Sequence, residues 1–184
     1  MIGGSQGAES LNRLAVRELA TAPGARILHL AGRSADAVRE AYRAAGREAR
    51  VEEFRRDMGA VYSACDLVIS RAGALAIAEL EALGCASVLV PYPHAAGDHQ
   101  AANARALERA GAAAVVDERE ALPGALAAWV RKLMRGDPDF ATMRRSISTL
   151  ARPDSARHIV GDWATWLPTR GPAPRTLSES AASA

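Results

Sequence analysis

Short apolar runs recur along the chain, separated by stretches in which apolar residues fall three or four apart. Residues 26–30, 67–69, 87–90 and 113–116 have the length and apolar content of buried strands, and a further short strand is expected over 51–54. Between them, Leu11, Leu14, Ala15, Val16 and Leu19 share a helical face. Similar spacing predicts helices over 35–45, 58–64, from about 75, over 100–110, 122–135, 139–150 and 154–166. Asp57 is placed to cap the helix that follows it. Strands alternating with helices imply an α/β fold, a parallel sheet with helices on both faces. Beyond Leu167 the Pro, Ser, Thr and Ala bias carries no apolar periodicity and predicts a disordered tail. The expected organisation is one domain over 1–167 and a tail over 168–184.

Residues 66–103 form the densest part of this pattern: a strand, the turn Arg71-Ala72-Gly73-Ala74, a helix, a second strand ending at Pro91, and a His-bearing loop feeding another helix. A strand–helix–strand unit of this kind winds right-handed, and ligands of open α/β sheets sit in the crevice at the strands' carboxyl ends. Residues 71–75 and 92–100 are therefore expected to line one crevice. A second Gly-rich turn, Gly3-Gly4-Ser5-Gln6-Gly7-Ala8, precedes the first helix, and the strand expected before it is reduced to Met1-Ile2. Loss of that central strand would expose sheet edge and destabilise an isolated domain. Glycines let backbone approach a phosphate, Ser5 adds a hydroxyl, and the helix start supplies free N–H groups. The same turn also serves as a plain strand-to-helix connection.

Composition narrows the function classes. The chain has 184 residues, 49% hydrophobic and 24% charged, with a formal net charge of +2. Its arginines are spread along helices instead of forming a basic block with interleaved aromatics, which argues against nucleic acid as a partner. Cys65 and Cys85 lie in apolar contexts suited to reduced core thiols. The longest run without Asp, Glu, Lys or Arg, residues 82–97, holds two prolines and is too short to span a bilayer. A cytosolic domain with at most peripheral membrane contact is expected.

Several candidate sites have simpler explanations. Asp137-Pro138-Asp139 resembles a metal-holding D-x-D, but a cap followed by Pro at the first helical position accounts for it. His94, Asp98 and His99 lack the helical pairing or nearby Cys of a metal site, and His29, inside an apolar strand, reads as a hydrogen-bonded core or crevice-edge histidine. No Ser-His-Asp arrangement emerges from residue order. Glu79 has Leu75, Ala82 and Leu83 as helical neighbours, so its carboxylate leaves an apolar face and needs a partner, such as a ribose diol. Glu81 also has apolar neighbours, and periodicity does not choose between the two.

In series, Gly3-Gly4-Ser5-Gln6-Gly7-Ala8, Phe54 with Asp57-Met58, Tyr62 with Asp66, Arg71-Ala72-Gly73-Ala74-Leu75 with Glu79, Val90-Pro91-Tyr92-Pro93-His94, and Asp98-His99-Gln100 with Asn103-Ala104 resemble the carboxyl-terminal domain of the MurG family. The resemblance runs in order from Gly3 to about Trp166. It implies the carboxyl-terminal, donor-binding and Rossmann-like half of an inverting GT-B glycosyltransferase. Such an enzyme transfers N-acetylglucosamine from UDP-N-acetylglucosamine (UDP-GlcNAc) to lipid-linked muramyl-pentapeptide, the lipid I to lipid II step of peptidoglycan synthesis.

Carried over by position, Gly3, Gly4 and Ser5 would hold the diphosphate, and the backbone at Arg55 with Met58 would flank the uracil. Glu79, chosen over Glu81 by the resemblance, would take the ribose hydroxyls. Gly73 belongs to the turn whose Ala74 and Leu75 amides would meet the sugar, with Arg71 organising the pocket, and His99, Gln100 and Asn103 would read the sugar hydroxyls. No obligatory protein-bound metal is expected. Catalytic groups and the lipid-linked acceptor site would belong to a missing or separate amino-terminal domain, through which the full enzyme would sit peripherally at the inner face of the plasma membrane. The chain alone is expected to be inactive. Ala76 stands where the family commonly has a hydroxyl residue. The alternatives are a non-catalytic nucleotide-sugar binding module, or a GT-B fragment using another UDP-sugar donor.

Overall fold

A computed structural model describes residues 9–22, 24–120 and 122–166. The chain divides into two compact units, Met1–Arg152 and Pro153–Ala184. In the first unit strands and helices alternate: α1 (Glu9–Leu19), β1 (Leu28–Leu30), α2 (Ala35–Ala44), β2 (Arg50–Glu52), α3 (Met58–Ser63), β3 (Val68–Ser70), α4 (Ala74–Leu83), β4 (Ser87–Leu89), α5 (His99–Arg109), β5 (Ala114–Val115), α6 (Ala125–Met134) and α7 (Asp139–Leu150). The described part of the second unit contains α8 (Ser155–Trp166), on which Ile159, Val160, Trp163 and Trp166 are exposed. Among the described residues no helix is long and apolar enough to cross a membrane.

Among the described residues every strand pairing is parallel. β1 pairs with β2, and β3, β4 and β5 form a sheet in that order, with Ile69 opposite Val88 and Leu89 opposite Val115. Side chains one residue apart on a strand leave on opposite faces, and the core divides accordingly. Ile69 and Val88 join one apolar cluster with Leu11, Leu14 and Leu19 of α1, Val38 and Tyr42 of α2, and Leu126 and Val130 of α6. Val68 and Leu89 join another with Tyr62 of α3, Ile77 and Leu80 of α4, and Ala104 and Leu107 of α5. Helix α7 serves both, giving Phe140 and Met143 to the first and Ile147 to the second. The expected parallel sheet covered on both faces is therefore present. The expectations for the first strand and for the tail fall on residues outside those described.

Where elements differ from expectation, pairing and backbone geometry explain it. β2 lies at Arg50–Glu52 instead of 51–54, because its ladder with the three residues of β1 ends at Leu30 opposite Glu52. Phe54 is left exposed beyond it. Helix α6 starts at Ala125, not 122, since Pro123 lacks an N–H and Gly124 takes the left-handed φ of 88°. Asp57 caps α3 as expected, accepting from the Ala60 N–H at 3.0 Å. Asp137 accepts from the Asp139 N–H at 3.0 Å at the start of α7, with Pro138 at helical angles between them. Asp139 in turn pairs with Lys132 at 2.9 Å. Both cysteines are free thiols, and burial raises the pKa of Cys85.

His29 of β1 is fully buried. Its Nδ1 lies 3.2 Å from the Tyr42 hydroxyl and its Nε2 3.0 Å from Asn12 Oδ1, while Asn12 Nδ2 donates to the Ala31 carbonyl at 3.1 Å. Desolvation lowers its pKa to about 3, so the ring is neutral and ties α1, β1 and α2 together.

Candidate functional site

The carboxyl ends of β3 and β4, and the segment that follows β5, meet at one side chain. Arg71, directly after β3, is 9% exposed. Its Nη1 donates to the carbonyls of Val90 and Pro91, each at 3.1 Å, and to Glu118 Oε2 at 2.7 Å. Its Nη2 donates to Ser10 Oγ, at the start of α1, at 2.7 Å. The guanidinium carbon stands 5.4 Å from the centre of the Tyr92 ring, close enough for a cation–π contact. A buried charge requires such partners. In meeting that requirement, Arg71 fixes the relative positions of four segments at the mouth of the sheet.

The turn between β3 and α4 is held from the other side. Asn103, on α5, donates from Nδ2 to the Ala72 carbonyl at 3.2 Å. Gly73 is the N-cap of α4, with φ −70° and ψ 147°, angles open to any residue, and a Cβ built there meets no atom within 4 Å. Neither strain nor packing among the described residues explains a glycine at this position. Ala74 and Leu75 begin α4, and Leu75 is 75% exposed. The first amides of the helix thus lie in an open turn, with the positive end of the helix dipole behind them. Ala76 is half-buried in the same turn of helix.

The loop after β4 leads into α5, whose first two residues add polar groups. The Gln100 Oε1 accepts from the Tyr92 N–H at 3.0 Å, and His99 Nδ1 lies 2.6 Å from the Ala96 carbonyl. A carbonyl only accepts, so Nδ1 carries the hydrogen. Each crevice side chain therefore keeps one group uncommitted by these bonds: the Gln100 amide N–H₂, the His99 Nε2, and the Asn103 Oδ1. His94 packs edge-on against Tyr92, with ring centres 5.7 Å apart. Among the described residues, no three His, Cys, Asp or Glu side chains form a group able to hold a metal ion.

Glu79, on α4, is half-buried and its Oε2 accepts from the Tyr62 hydroxyl of α3 at 2.7 Å. Tyr62 is 2% exposed, and burial together with that carboxylate raises its pKa, so the phenol stays protonated and donating. Glu81, the other carboxylate on this helix, is half-buried and its pKa is raised by desolvation against the opposing charge of Arg152. Met58, the first residue of α3, packs on the cluster that contains Tyr62. Arg55 is tied to β2: its Nε donates to Glu52 Oε2 at 2.8 Å and its Nη2 to Oε1. Those bonds, with a further one from Arg50, lower the Glu52 pKa to about 2.

Arg71, Gly73, Ala74, Leu75, Gln100 and Asn103 are thus gathered on one turn and the first turns of α5. Glu79 stands further along α4; Met58 packs against the cluster that holds Tyr62, and Arg55 is bonded to Glu52 of β2. Gly3, Gly4 and Ser5 lie outside the described residues. Sequence reasoning assigned no part to Ser10 or Glu118, none to Tyr62 beyond its place in a motif, and to Tyr92 only a place in the crevice lining. The available signals were slight: Tyr62 is four residues after Met58, on the same helical face, and Glu118 follows a strand end. A separate cavity of about 480 Å³ lies between α5, the end of β5 and α6, lined in part by Arg105, Glu108, Asp117, Glu120 and Trp129. Pro91, whose carbonyl accepts from Arg71, also lines it.

Comparison with known proteins agrees with this architecture. Residues 1–159 match the glycosyltransferase family 28 C-terminal domain. The chain is 41% identical over 164 residues to the UDP-N-acetylglucosamine–N-acetylmuramyl-(pentapeptide) pyrophosphoryl-undecaprenol N-acetylglucosamine transferase of Hahella chejuensis. It is 43% identical to the protein of the same name from Pseudomonas fluorescens strain Pf-5. Both matches cover 87% of this chain and 46% of the relative. The crystal structure of Acinetobacter baumannii MurG superposes with a TM-score of 0.80 at 33% identity, over 90% of this chain and 48% of that one. A kitacinnamycin glycotransferase shares the fold, with a TM-score of 0.55 at 21% identity, covering 84% of this chain and 38% of that one.

The fold is that of the carboxyl-terminal half of a GT-B glycosyltransferase. The chain belongs to the glycosyltransferase family 28 C-terminal domain family, and it spans about half the length of the relatives it matches.

Proposed function

We propose that this chain is the donor-binding half of an inverting N-acetylglucosaminyltransferase, and that it holds UDP-GlcNAc for transfer to lipid-linked muramyl-pentapeptide in peptidoglycan synthesis. The observation that carries this reading is the open start of α4. Gly73 leaves unfilled the space a side chain would take, while Arg71 and Asn103 hold the turn from two sides. A helix start built in this way offers rigid N–H groups to an anionic or hydroxyl-rich ligand. The relatives named above carry the same activity in their names.

In this reading the Ala74 and Leu75 amides meet the sugar. The uncommitted groups of the facing wall match a sugar's hydroxyls in both directions: Gln100 donates, while Asn103 and His99 accept. Glu79 accepts from the ribose, Met58 and the backbone at Arg55 flank the uracil, and Gly3, Gly4 and Ser5 take the diphosphate. The acceptor's C4 hydroxyl attacks the anomeric carbon on the face opposite the diphosphate, the bond to UDP breaks, and the sugar's configuration inverts. Negative charge developing on the diphosphate is met by helix-end N–H groups and hydroxyls. That stabilisation does not depend on a protein-bound metal. The acceptor site and the base that takes the hydroxyl proton belong to an amino-terminal half, through which the full enzyme works at the inner face of the plasma membrane.

Calorimetric titration with UDP-GlcNAc, UDP-N-acetylgalactosamine and UDP-glucose tests the donor. UDP-GlcNAc is expected to bind tightest; no binding, or equal binding of all three, overturns the assignment. The chain alone is expected to form no lipid II, and formation of lipid II by the purified chain would overturn the division of labour between the halves.

A further inference from the structure

The bond between Tyr62 and Glu79 links two helices that meet the nucleoside in different places. Tyr62 is almost wholly buried, and its hydroxyl has Glu79 Oε2 as its partner at 2.7 Å. A phenol oxygen so far from solvent needs that bond. Glu79, in contrast, is half-buried on the crevice helix, and among the described residues no cation pairs with it and no donor reaches its Oε1. A carboxylate has about four acceptor positions. The phenol occupies one, and its fixed origin in the core selects the rotamer in which Oε1 is presented.

We infer that Tyr62 is a positioning residue for the nucleotide: it aims Glu79 so that Oε1 accepts from the ribose hydroxyls of the bound nucleoside diphosphate. This rests on the donor-binding reading above. The inference also gives α3 a double part. Met58 and Tyr62 are four residues apart and share a helical face. Met58 is the residue beside the uracil, and Tyr62 orients the group that takes the ribose. Asp57 caps this helix at Ala60 and Tyr62 anchors it in the α3–α4 cluster, so base and sugar contacts move as one body. Ribose recognition is therefore set partly from the core, by a residue that itself touches no ligand.

The test is calorimetric titration of the full 184-residue chain, as wild type, Tyr62→Phe, Glu79→Gln and the double variant, with UDP and with its 2′,3′-dideoxy analogue. Loss of one orienting hydrogen bond corresponds to a weakening of about 3- to 10-fold. Tyr62→Phe is expected to lose that factor for UDP and nothing for the dideoxy analogue, and the double variant is expected to bind UDP no worse than Glu79→Gln. Equal UDP binding by Tyr62→Phe and wild type overturns the inference. So does an equal loss for both ligands, which marks a merely structural role, or a double variant whose losses multiply. If Tyr62→Phe does not fold, Glu79→Gln decides: a loss confined to UDP, with the Tyr62 phenol ionising at lower pH by ultraviolet titration, supports the inference, and absence of either sinks it. Failure of the wild type to bind UDP at all is a different result, and it removes the donor-binding reading along with this one.

Discussion

Arg71 and Glu118 pair at 2.7 Å across 47 residues of sequence, with side chains only 11% and 16% exposed. The pair joins the turn after β3 to the segment after β5, beside the carbonyls that end β4. Its desolvation cost is offset by four further contacts of the guanidinium, at Val90, Pro91, Ser10 and Tyr92. Removing one partner strands the other's charge. Glu118→Ala is expected to cost about 2–4 kcal/mol in urea unfolding, and Glu118→Gln, which keeps a hydrogen-bond acceptor, about 1 kcal/mol. Equal losses would show that the charge itself contributes nothing.

His29 predicts the acid response of the α1–β1–α2 region. Its pKa falls from 6.5 to about 3 on folding, so between those values the unfolded chain binds the extra proton. Its contribution is complete above pH 6.5 and is lost as pH falls toward 3. Within that window the slope approaches about 1.4 kcal/mol per pH unit. Unfolding measured from pH 7.5 to 4.5 is expected to show it, and His29→Gln, although less stable at neutral pH, is expected to flatten it.

Glu52 acts over a lower range. Hydrogen bonds from Arg55 and Arg50 hold its carboxyl at about 2, below the ordinary 4.5. Its contribution is present above pH 4.5 and disappears as pH falls through 2. Arg50 is 70% exposed, so salt is expected to weaken the effect. Arg55→Gln is expected to raise the Glu52 pKa toward its ordinary value, readable by carboxyl NMR titration.

Gly84 ends α4 at φ 63°, and a Cβ there would stand 2.6 Å from Ser148 Oγ on α7. Gly84→Ala is expected to destabilise by about 1–2 kcal/mol, mostly through the left-handed backbone. Adding Ser148→Ala relieves the clash and is expected to restore less than half of the loss. Full recovery in thermal unfolding would show that sterics, not backbone conformation, require glycine here.

Asn103 is predicted to serve fold and ligand with its two amide ends. Asn103→Asp removes the donor to the Ala72 carbonyl but keeps an acceptor for the sugar. It is expected to cost about 1–3 kcal/mol in stability by leaving that carbonyl without its partner. Asn103→Ala is expected to lose this and donor affinity as well, measured by titration with UDP-GlcNAc.

Most of the secondary structure was legible in the chain, because apolar period is a local property. Asp139–Leu150 was read to the residue, and β3, α4, β4 and α5 within a position or two. The errors fell where a partner sets the boundary, as at β2, or where Pro123 and Gly124 delay a helix. The turn at 71–75 was legible because strand, glycine and helix follow one another in sequence. Glu79 was visible only as a charge on an apolar face, and periodicity left it level with Glu81.

What the sequence determined by itself was the parallel α/β layout, the adjacency of the turn at 71–75 to the segment after β4, and the family, since each depends on short-range pattern or on motifs in series. What only the tertiary structure decided was how the crevice is held. The bonds from Arg71 to Glu118, Arg71 to Ser10 and Tyr62 to Glu79 span 47, 61 and 17 residues. No local pattern selects one distant polar partner over another. That selection is made when the sheet forms and brings into reach the buried groups that must be paired.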